Sequence, residues 1–146
     1  MSIFPAFVQP ENKTEQIELP MLKEYAYDFD TNELKLRDGK NYLVEGNEAL
    51  KIWIFKAIVT ARYKYIAYSE QFGTEIFEVI GTTLSSEAKK AEVRRYIIET
   101  LMVNPYILSI ERIELSQIKD NLDIEVFVKS IYEDKVVNVH CLIEIA

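Results

Sequence analysis

Cysteine and histidine are nearly missing from this chain of 146 residues: Cys141 and His140 are the single examples of each. One cysteine cannot form an internal disulfide, and it cannot build a cysteine-ligated zinc site. The two sit consecutively in an alternating segment, so on a strand they point to opposite faces and cannot act as a thiolate–imidazole pair. Glycine is also scarce. The four present, Gly39, Gly46, Gly73 and Gly81, fall at apparent element boundaries, leaving little from which to build a phosphate-cradling loop. No GxSxG, HExxH, phosphate-loop or dinucleotide pattern occurs.

Long apolar runs are missing too. Ile52-Trp53-Ile54-Phe55 is short and bounded by lysines, far from the ~20 residues that span a bilayer. The N-terminal stretch has no basic region followed by an apolar segment and small-residue cleavage site, so a secretion signal is not expected. Net positive charge is absent as well. The formal charge is −7, which argues against nucleic acid, because phosphate binding rests on clustered Lys and Arg. What remains is ample material for one core. Hydrophobic residues make up 49% and charged residues 28%, the balance of a folded, soluble domain made in a reducing compartment.

Pro5, Pro10 and Pro20 lie within the first 20 residues, which predicts an extended, irregular segment. Ile3, Phe4, Phe7 and Val8 give it apolar character. Residues 1–24 read as an arm that packs on its own domain or on a neighbour, with a frayed terminus as the other reading. Residues 25–146 read as one domain.

From Tyr25 the period becomes two. Tyr25, Tyr27 and Phe29 alternate with Ala26, Asp28 and Asp30, then Leu34 and Leu36 alternate with Lys35 and Arg37. Thr31-Asn32 and Asp38-Gly39 supply turns, and Tyr42 to Val44 forms a third short strand. An antiparallel meander is expected. Gly46-Asn47 opens a helix with Asn47 as its cap, buried on most sides. A short helix follows from Thr74 to Ile80. A longer one starts at Ser85 or Ser86 with Ala88, Ala91, Ile98, Leu101 and Met102 as its buried stripe, and Asn104-Pro105 ends it. The last third alternates again. Ile107 to Leu115 slips phase near Ile110, which predicts a bulge. Leu122 to Val128 and Val137 to Ile145 alternate cleanly. The fold class is α+β: an N-terminal antiparallel β-meander, two to three helices, and a C-terminal antiparallel β-sheet.

Three groups invite a functional reading. Asp28 and Asp30 share a strand face and could split acid and base roles, but adjacent strand positions frame a sugar cleft poorly, and a solvated face is the simpler account. Lys89, Lys90, Arg94 and Arg95 read as a solvated helix face or a contact for an acidic partner. The tyrosines Tyr63, Tyr65 and Tyr68 around Arg62 read as semi-buried core or as a contact surface.

The order of motifs carries more. Tyr25-Ala26-Tyr27-Asp28-Phe29-Asp30, then Leu36-Arg37-Asp38-Gly39, then Val44-Glu45-Gly46-Asn47-Glu48-Ala49-Leu50 resembles the start of XkdS-like baseplate proteins of contractile tails and tailocins. Thr60-Ala61-Arg62-Tyr63-Lys64-Tyr65-Ile66-Ala67-Tyr68-Ser69, followed by Phe72-Gly73 and Val79-Ile80-Gly81, is similar to that family's central signature. The resemblance covers about residues 25 to 145. It implies a sheath initiator, a group once loosely labelled lysozyme-like, with no catalytic residues, cofactor or metal. It also implies partners: sheath protein, baseplate wedge subunits and the tail tube, with several copies in a ring. Assembly would occur in the cytoplasm, and the chain would end in the baseplate.

Two departures stand out. The family often has Glu where Ala61 stands, and the wider group has Glu-Pro-Arg where this chain has Asn104-Pro105-Tyr106. A salt bridge made by that motif cannot be transferred. The expected interface residues are Arg62, Tyr63, Tyr65, Tyr68, Pro105 and Tyr106, with Val137, Val139, Cys141 and Ile143 marking a strand whose edge a sheath strand could extend. The alternatives are a cell-wall glycan hydrolase and a stand-alone peptide-binding domain.

Overall fold

A computed structural model describes residues 19–60, 73–76, 79, 86–118, 121–132 and 136–144. Six short strands come first. These are β1 (Lys23–Tyr25), β2 (Tyr27–Asp28), β3 (Glu33–Leu34), β4 (Leu36–Arg37), β5 (Lys40–Asn41) and β6 (Leu43–Glu45). Helix α1 (Asn47–Val59) follows, then α2 (Ser86–Met102), and three long strands complete the order: β7 (Ile107–Ile118), β8 (Asn121–Ser130) and β9 (Val136–Glu144). The class is α+β, as the sequence predicts.

The N-terminal strands differ in detail from a simple meander. β2 pairs with β3 and β4 with β5, but the last strand, β6, returns to pair with β1. The alternation breaks at Ala26, which is buried while Tyr25 is half exposed. Ala26 donates its N–H to Tyr42 and accepts from Lys35, so this one residue links the hairpins and cannot keep the period-two phase. Leu34 and Leu36 are exposed. The expected half-buried face therefore shrinks to Tyr27 and Phe29, which pack on the core. Asn32 and Asp38 adopt positive φ in the two turns, a conformation that short polar side chains tolerate.

Helix α1 is buried on most sides, with Leu50, Ile54 and Ile58 inaccessible. Its cap is Gly46 at φ 68°, with no side-chain capping bond, where Asn47 had been expected. Asn47 instead opens the helix proper and accepts a 2.5 Å hydrogen bond from Ser130 at the end of β8. Helix α2 also departs from its expected phase. Val93, Ile97 and Leu101 form the buried stripe with Thr100, while Ile98 and Met102 are exposed. Adjacent apolar residues allow two helical phases, and the small Ala88 and Ala91 favoured the wrong one. Ile76 and Val79 are helical and buried, and the rest of the expected short helix lies outside the described residues.

β7, β8 and β9 form one antiparallel sheet in that order. The inward row Leu122, Ile124, Val126 and Val128 joins Val137, Val139, Cys141 and Ile143. Both rows bury against the helices, and α1 lies across β9. The expected bulge is present: the β7–β8 register shifts between Ile107 and Ser109 and again between Ile110 and Arg112.

Candidate assembly surface

The two edges of this sheet are unlike each other. The β8–β9 ladder runs without a register shift from Lys129↔Val136 to Asn121↔Glu144. Among the described residues β9 pairs with β8 alone, so its outer row of backbone groups faces away from the sheet. β7, at the other edge, carries two irregularities that twist and interrupt it. Natural sheets blunt an edge in this way. The regular edge is β9.

A cleft of about 640 Å³ runs beside that edge. One side is formed by Asn138, Val139, His140 and Leu142. The other comes from the β2–β3 turn (Phe29, Asp30, Asn32) and from α1 (Lys51, Phe55). Phe29 stacks on Phe55 with ring centroids 4.7 Å apart, and Tyr27 packs against both rings. Burial, and then the Glu33 carboxylate, push the Tyr27 phenol above its ordinary range. Phe29, Asp30 and Lys51 also line an adjoining hollow with Asp28 and Glu48, so the surface continues along the hairpin.

The side chains expected at an interface occupy varied places. Arg62, Tyr63, Tyr65 and Tyr68 lie outside the described residues. Pro105 is exposed. Tyr106 is buried and serves the chain itself: its hydroxyl donates to the Pro20 carbonyl at 2.6 Å. Val137, Val139, Cys141 and Ile143 all face the core. That strand therefore offers its backbone edge and its outward residues Asn138, His140 and Leu142. Burial, and then the Asp123 carboxylate, push the Cys141 thiol up to about 12, which leaves it a thiol at neutral pH. His140 stands on the outer face against the Asp123 carboxylate.

Two of the side chains that invited a functional reading, Asp28 and Arg95, have local structural partners. Asp28 Oδ1 accepts the N–H groups of Asp30 and Thr31 at 2.9 and 3.3 Å, an Asx turn that shapes the β2–β3 hairpin. Arg95 is held by Glu92 and Glu99 at 2.8 and 2.9 Å, and that bond holds the Glu92 carboxyl below its usual range. Among the described residues no cluster of His, Cys, Asp and Glu could hold a metal ion.

Where the wider group has Glu-Pro-Arg, Asn104 is buried and its Oδ1 accepts the Tyr106 N–H at 2.7 Å. A neutral side chain closes this turn.

Comparison with known families settles the affiliation. A family model described as contractile injection system sheath initiator matches residues 23–133, most of the chain. The chain belongs to the sheath-initiator family. The phage-like element PBSX protein XkdS of Bacillus subtilis (strain 168) is similar, 28% identical over 124 residues, covering 83% of this chain and 86% of that protein. A sheath initiator is a structural part of a contractile injection system. The match starts at the first residue of β1 and stops short of β9, so the role of that last strand is argued from its geometry.

Sequence reasoning missed Lys51 as a cleft former, the buried Phe55 as the ring beneath Phe29, and Tyr132 as the partner of Tyr106. Phe29 carried a weak signal, as the last aromatic of an alternating run. Nothing local pointed to its stacking on a helix residue.

Proposed function

We propose that this chain is a non-catalytic baseplate component. It binds wedge subunits around the tail tube, stands in several copies as a ring, and templates the first sheath ring by β-strand augmentation on β9. The observation that supports the reading is the unbroken β8–β9 ladder, with no second strand paired to β9 among the described residues. Four inward side chains anchor that strand in the core, so its edge is held rigid before a partner arrives. Each added backbone hydrogen bond contributes about 0.5–1.5 kcal/mol net, and ordering the incoming strand costs a similar amount per residue. A single contact is therefore weak. Copies fixed in a ring make later contacts effectively intramolecular, which ties sheath growth to a finished baseplate. The arm and domain division fits this role, with Pro20 and Leu22 hydrogen-bonded to Tyr106 and Tyr132 of the domain.

The test is a proline scan through Val136–Glu144. At alternate positions a proline removes an outward N–H and spares the β8 ladder, which edge strands tolerate. Those variants are expected to fold, by circular dichroism, and to leave baseplates without sheath in electron micrographs. Full-length sheath on every folded variant would overturn the reading.

A further inference from the structure

The cleft beside β9 has more structure than an edge needs. A bare edge requires only free backbone groups, and those give affinity without register. Here the edge faces a second wall that does not belong to the sheet. Its floor is the half-buried Phe29, stacked on the buried Phe55 between the hairpin and α1. Lys51 stands at the same wall and makes no ion pair among the described residues. On the outer face Leu142 is 54% exposed, an apolar side chain in a row with Asn138, His140 and Glu144.

The next strand of a sheet lies about 4.8 Å from its neighbour, and its side chains alternate between the two faces. A strand added to β9 thus sends one set of side chains inward over the aromatic stack and the other outward beside Leu142. An α-helix, about 10 Å across, would leave the edge's donors and acceptors unpaired. The lining from Asn138 to Leu142 spans about 13 Å of strand, a footprint of roughly five residues.

We propose that this cleft receives one extended strand of the sheath protein, its register set by a large apolar side chain seated on the Phe29–Phe55 stack, a carboxylate against Lys51, and an apolar residue beside Leu142. The proposal rests on the augmentation reading above and adds the chemistry of the incoming segment. Backbone pairing supplies attachment. The stack, the cation and Leu142 select which stretch of the partner attaches and in which register, since a one-residue slip would exchange the two faces.

Lys51→Glu and Leu142→Asp test it in the full chain on assembled baseplates, since neither position is in the buried core. Each is expected to lower the fraction of baseplates bearing sheath by roughly tenfold, as loss of an interface anchor does, with unchanged thermal unfolding. Normal sheath on both variants, while outward prolines in β9 abolish it, would leave augmentation standing and overturn the selective cleft. Normal sheath on all of them would overturn both. A change in self-association by ultracentrifugation without a change in sheath would assign the cleft to a second copy of this chain and also overturn the proposal.

Discussion

Tyr106 donates its phenolic proton to the carbonyl of Pro20, 86 residues earlier in the chain, at 2.6 Å. Two residues on, Leu22 donates its N–H to the hydroxyl of Tyr132 at 2.9 Å, and the two tyrosine rings stack 6.0 Å apart. The entry to β1 is thus fastened to the turn after α2 and to the end of β8. The Asn104-Pro105-Tyr106 turn thus takes part in a polar clasp between the residues before β1 and the C-terminal sheet.

Removing either hydroxyl leaves a partly buried backbone group without its partner. Tyr106→Phe and Tyr132→Phe are each expected to lower stability by about 1 kcal/mol in urea unfolding. The double variant should also speed proteolysis just before β1. Unchanged cleavage in the double variant would show that these two hydroxyls do not hold Pro20 and Leu22 in place.

The phase of α2 has a sharp mutational signature. Ile97 is fully buried, whereas its neighbour Ile98 is 43% exposed. Ile97→Ala should cost about 3 kcal/mol through lost burial and the cavity left behind, and Ile98→Ala about 0.5 kcal/mol or less. Equal losses in chemical denaturation would contradict this helix orientation.

Gly46 begins α1 at φ 68° and ψ −134°, with open space where a Cβ would stand. The penalty of Gly46→Ala is therefore backbone strain with no clash, about 1–3 kcal/mol. Differential scanning calorimetry should show a lower midpoint, and an unchanged one would place the strain elsewhere.

Cys141 ties stability to alkaline pH. Its folded thiol is raised from 9.0 to about 12, so above pH 9 the unfolded chain releases a proton that the folded chain retains. Stability from this group is complete below pH 9 and declines as pH climbs toward 12. Comparing unfolding midpoints between pH 8 and 10 for the parent and Cys141→Ala should show a shallower decline in the variant. Native protein should also resist a maleimide at pH 8, and rapid labelling without unfolding would refute the burial.

Legibility varied with how local the determining interaction was. β8 and β9 were readable because their alternation reflects one buried and one solvated face, and the slip at Ile110 marked a real bulge in β7. The boundary of α1 was visible in Gly46-Asn47, although the cap proved to be the glycine. The phase of α2 was not, because Ile97 and Ile98 are equally apolar and only the position of the sheet selects between them. Ala26 was misplaced for the same reason: its burial is set by partners in other strands, Tyr42 and Lys35.

By itself the chain's residue order determined the α+β class, the faces of the C-terminal strands, the lack of catalytic patterns and the family. These depend on periodicity and on side-chain types within a few positions. Only the tertiary structure decided which sheet edge is regular, that Phe29 meets Phe55 beside it, and that Asn104 and Tyr106 act within the chain. Those features are pairings between distant segments, and the free energy that chooses among them arises only when the segments pack together.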